Sequence, residues 1–388
     1  MFGLKIDFDK SRVYGLDILR AFAISMVVLT HSVTYLPRVI GKMIYNIALD
    51  GVSIFFVLSG FLIGRILIKL MLGEQLGINT LWNFWLRRWL RTLPVYFLIL
   101  SLVIFAYNYP TFTAPTFKRF YIFSQNIYSQ HPGFFIEAWS LSVEEWFYLL
   151  VPLLTFTFVK SLKVNVFKSV LIISFVVILF STLVRLERYF AYQPVNNLKF
   201  EMLFKMQVVT RLDSLVFGVL GALCSFFIYE MWVAKKELKL IIGVIILIIN
   251  KIFTIVEQNS AEGFYYCVFY FSVNSIGTLL LLPYLSTYRK QRGTVYKTVT
   301  YLSIISYSMY LINLTPVQEY IMPFINGHII KNFANPAAIK NIDLLLYFPI
   351  IVFGAIYLYK FVERPFLQFR DRASFSRATT TPVNEHAQ

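Results

Sequence analysis

Arg20 and His31 lie in or beside one apolar stretch, LDILRAFAISMVVLTHS, with ten residues between them. An ionisable side chain in such a segment is energetically expensive and usually serves a function. Because eleven positions are close to three helical turns, both side chains project from one helix face, with about 16 Å between their Cα atoms. The pair therefore places a permanent cation near one membrane surface and a titratable imidazole about half a bilayer deeper.

A neutral imidazole can remove a proton from a hydroxyl group, and a neighbouring carboxylate can orient it and stabilise the resulting cation. The segment WSLSVEEWFYLL supplies Glu144, which shares a helix face with Ser140 four positions earlier. We expect His31 and Glu144 to meet if their helices pack together. The alternatives are a structural hydrogen bond between helices for His31, and a buried structural pair for Glu144 and Glu145.

Three arginines, Arg87, Arg88 and Arg91, cluster at the start of another apolar segment. Arg88 and Arg91 share a helix face and lie level with Arg20 in the predicted topology. Guanidinium groups near one plane can bind phosphate oxygens bidentately, so we predict an anion-binding site here. The alternative is that arginines at a cytoplasmic helix end only reflect membrane orientation.

Arg211 and Asp213 open a further apolar segment, RLDSLVFGVLGA. A local salt bridge and the binding of a sugar acceptor are both compatible with this pair. In the segment SYSMYLIN, we expect Tyr307, Tyr310 and Asn313 to make hydrogen bonds within the helix bundle. Small residues in GVSIFFVLSGFLIG predict close helix packing.

The composition indicates a polytopic membrane protein. Of the 388 residues, 58% are hydrophobic and 14% are charged, whereas soluble domains carry about 25% charged residues. The mean hydropathy is +0.65. The formal charge of +16 therefore indicates basic cytoplasmic loops rather than a nucleic-acid partner. Cys224, Cys267 and the four scattered histidines form no disulfide framework or metal-ligand motif.

The predicted fold is all-α, an integral membrane bundle of about ten transmembrane helices with both termini in the cytoplasm. With that orientation, 22 Lys and Arg residues lie in the inner connections and 11 in the outer ones, as the positive-inside rule requires. We assign residues 1–372 to a single membrane domain and 373–388 to a disordered polar tail. The predicted spans are 19–37, 50–68, 90–109, 138–159, 168–185, 211–230, 239–257, 264–286, 299–321 and 342–361.

Taken together, the order and spacing of these motifs resemble the acyltransferase-3 family of multipass membrane O-acyltransferases. The similarity covers residues 14–366 and also includes Glu363-Arg364-Pro365. It implies an acyl-CoA donor loaded from the cytosol and an acceptor hydroxyl, usually of a sugar. It also implies that His31 is the catalytic base with Arg20 as its essential partner, that Arg88 and Arg91 bind the donor, and that Glu144 is the relevant glutamate of the WSLSxE motif.

Two departures from the family pattern concern the site. Asn313 stands where many relatives have histidine, and Trp146 replaces a common glutamine. We also expect the chain to lack the fused extracytoplasmic hydrolase-like domain of some relatives. We therefore expect it either to complete the transfer within its membrane core or to pass the acyl group to a separate extracytoplasmic partner protein.

The leading hypothesis is a membrane O-acyltransferase that acylates, most simply acetylates, a cell-surface or lipid-linked glycan. We predict His31, Arg20 and Glu144 as catalytic residues, with Arg88, Arg91 and Arg87 at the donor and Arg211, Asp213 and Ser140 at the acceptor. No permanently bound cofactor, metal ion or nucleic acid is expected. Acyl-CoA, the acceptor and the bilayer of a bacterial cytoplasmic (inner) membrane are the expected partners. The alternatives are a transporter or flippase for a lipid-linked glycan or small molecule, and a non-catalytic scaffold.

Overall fold

The computed structural model describes residues 12–73, 76–106, 114–258, 263–289, 293–328 and 336–372, and these ranges contain helices and connections but no β-strand. The predicted tail, 373–388, lies outside the described residues. The helices are α1 (Tyr14–Ser32), α2 (Arg38–Ile47), α3 (Gly51–Met71), α4 (Ile78–Ala106), α5 (Ala114–Tyr121), α6 (Ala138–Phe156), α7 (Val166–Ala191), α8 (Asn197–Lys199), α9 (Leu212–Phe227), α10 (Tyr229–Val233), α11 (Lys236–Gln258), α12 (Phe264–Val268), α13 (Tyr270–Leu285), α14 (Thr294–Ile312), α15 (Met322–His328), α16 (Pro336–Leu358) and α17 (Arg364–Arg372).

Within these ranges, seven helical segments are long and apolar enough to cross a membrane. They confirm the all-helical, multipass membrane class. Two further apolar helices, α9 and α13, are shorter. The number of ten spans and the side of the termini remain predictions. The seven segments are Tyr14–Tyr35, Arg38–Met71, Ile78–Ala106, Ala138–Ser161, Val166–Ala191, Lys236–Val256 and Ile339–Arg372.

Helices α3 and α9 pack closely because glycines lie on both sides of their contact. A methyl group at Gly60 would collide with the backbone oxygen of Leu215, and one at Gly218 would collide with the backbone oxygen of Val57. In a membrane, such small residues let two helix backbones approach and gain van der Waals contact. The packing role predicted for the small residues of α3 is therefore confirmed at Gly60.

Helix α1 lies between two apolar clusters. Leu19 and Ala23 belong to a cluster built on α3, α6 and α9. Ile24 and Val28 belong to a second cluster, which contains side chains of α4, α14 and α16. Because α1 packs against both clusters, its rotation is fixed, and the positions of Arg20 and His31 are fixed with it.

Helix α14 continues directly into a π-helical segment, Asn313–Ile321. Pro316 lies inside this segment and has no N–H group to donate, so a regular α-helical hydrogen bond is lost there. π-Helical turns often occur at functional sites. Asn313 is the first residue of the widened segment and is fully buried.

The glycine contact gives a stability prediction. Gly60→Val should push α3 away from α9 and lower the free energy of unfolding by about 1–3 kcal/mol, the usual range for overpacking. The measurement is the apparent thermal midpoint of the purified protein in detergent. Gly77→Val is the control, because no atom lies within 4 Å of the added Cβ position. Equal midpoints for the two variants would contradict the packing account.

Candidate active site

One cavity of about 150 Å³ is enclosed by α1, α3, α4, α6 and α14. Its wall contains five of the nine residues predicted from the sequence to form the site, namely Arg20, Arg88, Arg91, Ser140 and Glu144. These residues come from three separate helices, α1, α4 and α6, and the fold brings their side chains together around one cavity. Tyr307 and Tyr310 of α14 complete the polar part of the wall.

Two cations at the cavity are only weakly compensated. An N–H of Arg20 lies 3.4 Å from the Ser303 hydroxyl oxygen and 3.9 Å from the Asp17 carboxylate. Asp17 is bound more closely by Arg12, at 2.5 Å. Arg91 makes no hydrogen bond or salt bridge with any residue that the structure describes. Both guanidinium groups therefore retain donors that an anionic ligand could use.

Arg88 is bound more firmly than the other two arginines. It donates to the Tyr148 hydroxyl, stacks 4.3 Å from the Tyr148 ring centre and lies 3.6 Å from the Glu144 carboxylate. The Tyr148 hydroxyl in turn donates to Glu144 at 2.8 Å and contacts the Ser59 hydroxyl at 2.5 Å. Sequence reasoning missed Tyr148, although its position four residues after Glu144 placed both on one helix face.

Arg87 points away from this arrangement. Its side chain is exposed and does not line the cavity. Arg88 and Arg91 share a face of α4, whereas Arg87 is rotated by one position, about 100°. The structure therefore separates Arg87 from the two arginines with which it was grouped.

The imidazole of His31 pairs with Asn313, not with Glu144 as expected. His31 Nδ1 and Asn313 Oδ1 form a hydrogen bond between α1 and the start of the π-helical segment. Glu144 instead contacts Arg88 and Tyr148. The reason is packing: α1 lies against α3 and α14, while α6 faces it across the cavity.

The contacts of Asn313 define the proton positions on His31. Both N–H groups of the amide are used, one to the backbone oxygen of Met309 at 3.1 Å and one to that of Tyr310 at 2.7 Å. The amide oxygen must therefore face His31, where it can only accept. Nδ1 of the imidazole carries the proton, and Nε2 retains the lone pair that a general base needs.

At the other end of the cavity from the arginines, Ser140 and Tyr310 join α6 to α14. Their hydroxyl oxygens lie 2.6 Å apart, and Tyr310 also donates to the backbone oxygen of Glu137 at 3.1 Å. The buried Glu137 carboxylate accepts from the backbone N–H and hydroxyl of Thr315, at 3.0 and 2.6 Å. Glu137 thus fixes the π-helical segment, a role that the sequence did not indicate.

Arg211 and Asp213 do not pair with each other. Arg211 donates to Ser53 at 2.6 Å and lies 4.0 Å from Asp50, while Asp213 lies 2.8 Å from Arg185. Both predicted acceptor residues are fully buried, and neither lines the cavity. Their contacts support a structural role, and acceptor binding remains a prediction for them.

Another histidine, His131, lies in the connection between α5 and α6, apart from the cavity. Burial lowers the pKa of His131 to about 4, so the ring is neutral at pH 7. Its Nδ1 accepts a hydrogen bond from the backbone N–H of Gly133 at 3.2 Å. We therefore assign His131 a structural role, in which it stabilises the conformation of its loop.

Comparison with known proteins finds one family and several relatives. Residues 13–360 match the sequence model of the acyltransferase-3 family, described as an acyltransferase domain. O-acetyltransferase OatA of Staphylococcus aureus is 32% identical over 42% of this chain and 28% of its own length. A putative O-acetyltransferase of S. aureus strain COL is 24% identical over 91% of this chain and 57% of its own length. The chain thus spans about half or less of these relatives, and no solved structure matches.

The Arg185–Asp213 pair provides the second prediction. Asp213→Asn leaves Arg185 buried without a counter-charge and should lower the free energy of unfolding by about 3–5 kcal/mol. Thermal unfolding in detergent measures the effect. Glu201→Gln is the control, because it breaks a partly exposed pair with Lys205 for which about 0–1 kcal/mol is expected. Unchanged stability of Asp213→Asn would contradict the structural role and favour the binding alternative.

Proposed function

Because the chain belongs to the acyltransferase-3 family, we propose that it is a membrane O-acyltransferase. It moves an acyl group, most simply acetyl, from acyl-CoA to a hydroxyl of a cell-surface or lipid-linked glycan. The observation that carries this proposal is the arrangement of charged groups along one cavity. The weakly compensated Arg20 and Arg91 lie at one end, and His31, with its tautomer fixed by Asn313, lies beyond the other end. The relatives named as O-acetyltransferases support the choice of acetyl.

The proposed topology has ten spans, formed by α1, α3, α4, α6, α7, α9, α11, α13, α14 and α16. Both termini face the cytoplasm of a bacterial cell, and the membrane is the cytoplasmic (inner) one. Support comes from the two-to-one excess of Lys and Arg in the connections on that side. In this orientation Arg20, Arg88 and Arg91 lie toward the cytosol, and His31 lies toward the outer surface.

The donor binds from the cytosol in this scheme. Arg20 and Arg91 hold the phosphates of coenzyme A through charge-assisted hydrogen bonds. Pockets for drug-sized ligands occupy about 300–1,000 Å³, so a cavity of about 150 Å³ fits only the reactive end of the donor. The nucleotide end stays at the arginines, while the acyl end passes Arg88 and Glu144 toward His31.

His31 then acts as the general base. Its Nε2 takes the proton from the acceptor hydroxyl as the oxygen attacks the thioester carbonyl, and the imidazolium returns that proton to the departing thiolate of coenzyme A. A two-step route is the alternative, in which Nε2 itself attacks the thioester carbonyl, the coenzyme A thiolate leaves and an acyl-histidine forms. The acceptor hydroxyl then attacks this acyl group, loses its proton and releases the imidazole. Ping-pong kinetics with a trapped acyl-enzyme would favour the two-step route, and a ternary-complex pattern would favour direct attack.

The function is tested by mass spectrometry of surface glycans. A deletion strain should lose an alkali-labile acyl group, and the intact gene should restore it. His31→Ala should lower the transfer rate by about 10²–10⁴-fold, the usual contribution of general base catalysis, at matched abundance in the membrane. Arg87→Gln is the control and should restore the modification. Restoration by His31→Ala would remove His31 from the mechanism and favour the transporter or scaffold alternatives.

Asn313 is proposed as a positioning residue, since it acts through the His31 ring. Asn313→Asp keeps an acceptor for Nδ1–H but loses the two N–H donors to Met309 and Tyr310. It should therefore retain more activity per folded molecule than Asn313→Leu, which removes the acceptor and frees the other tautomer. We expect Asn313→Leu to lower kcat by about tenfold or more without changing the KM for acyl-CoA. A merely structural role for Asn313 would instead reduce the folded amount of both variants and leave kcat per folded molecule unchanged.

A further inference from the structure

A second cavity, of about 540 Å³, opens at the end of α1 that carries His31. It lies between the turn Val33–Tyr35, helix α2 and the first part of α16. Gly41 of α2 approaches this turn so closely that an added Cβ would lie 2.9 Å from a side-chain carbon of Val33. The cavity is therefore tied to the segment that directly follows His31.

Three cationic side chains line this cavity, Arg38, Lys42 and Lys340. No acidic residue is among the lining residues, and none of the three cations forms a salt bridge with a residue that the structure describes. Arg38 and Lys42 are four positions apart on one helix, an arrangement in which like charges destabilise each other. Cations gathered around a cavity without counter-charges form a binding site for an anion, and phosphate matches their donors best.

The neighbouring face of α2, rotated by about 100° from Arg38 and Lys42, is apolar and exposed. Val39, Met43 and Ile47 follow one another at intervals of four residues and are 73, 58 and 74% exposed. A helix with a basic face and an apolar face of this kind lies in the plane of a membrane interface, with its apolar side among the acyl chains. The three cations are then at the level of the lipid headgroups.

From this placement we infer that the cavity binds the phosphate-bearing headgroup of a membrane lipid. The apolar flank of α2 selects a lipid over free phosphate, because the acyl or polyprenyl chain can lie along Val39, Met43 and Ile47. On the proposed function, the site holds a lipid-linked acceptor by its phosphate beside His31, so that its sugar hydroxyl can reach the imidazole. That last step rests on the acyltransferase proposal, whereas the binding site itself does not.

The test measures lipid binding to the purified full-length chain in neutral detergent, for example by native mass spectrometry. The ligands are a polyprenyl phosphate, phosphatidylglycerol, phosphatidylcholine and inorganic phosphate. The double variant Arg38→Gln/Lys42→Gln should bind the two anionic lipids about 10- to 30-fold more weakly, since each basic residue near a membrane surface contributes up to about fivefold in affinity.

Lys118→Gln/Arg119→Gln is the matched control, because it removes the same charges from exposed positions on α5. Equal weakening in both double variants would overturn the proposal, as would inorganic phosphate or phosphatidylcholine binding as tightly as the anionic lipids. If the first double variant fails to fold, Lys340→Gln on a different helix should still weaken binding several-fold. Acyl transfer is not measured, so failure of this site and failure of the proposed function remain distinguishable.

Discussion

The packing of α1 between two apolar clusters is the constraint on which the rest of the site depends. Leu19 and Ala23 anchor the helix to one cluster, and Ile24 and Val28 anchor it to the other. A single α-helix holds two of its residues at a set separation, about 16 Å for eleven positions. The cationic end and the imidazole end of the site are therefore spaced by one rigid element rather than by loops.

Charges inside the bundle are placed so that most of them meet a partner. Arg185 pairs with Asp213, Arg88 with Glu144 and Arg12 with Asp17. An unpaired charge in an apolar interior costs several kcal/mol, so these pairs both hold the helices and preorganise the cavity wall. Arg20 and Arg91 are less completely compensated, which is the property expected of residues that bind a charged substrate.

Spacing along one helix was the part of the arrangement that the sequence could supply. It placed Arg88 and Arg91 on one helix face, and both line the cavity. Grouping Arg87 with them was wrong, because one helical position rotates its side chain by about 100°. The predicted contact of His31 with Glu144 was wrong. Its actual partner, Asn313, lies 282 positions away in the sequence, and only the packing of α1 on α14 brings it near. For the same reason, the contact of Asp213 with Arg185 rather than with Arg211 could not be read from local sequence. The helical membrane class could be predicted from the composition and the long apolar runs. In a bilayer such runs must satisfy their backbone hydrogen bonds internally, which an α-helix does within one segment.

The most direct test of the account separates donor binding from chemistry at the two ends of α1. Binding of acetyl-CoA and its single-turnover consumption would be measured on purified Arg91→Gln and His31→Gln proteins. The account predicts that Arg91→Gln weakens acetyl-CoA binding about tenfold or more, as expected for a lost charge-assisted hydrogen bond, while His31→Gln binds normally and fails to transfer the acyl group. Normal binding by Arg91→Gln, or normal turnover by His31→Gln, would contradict it.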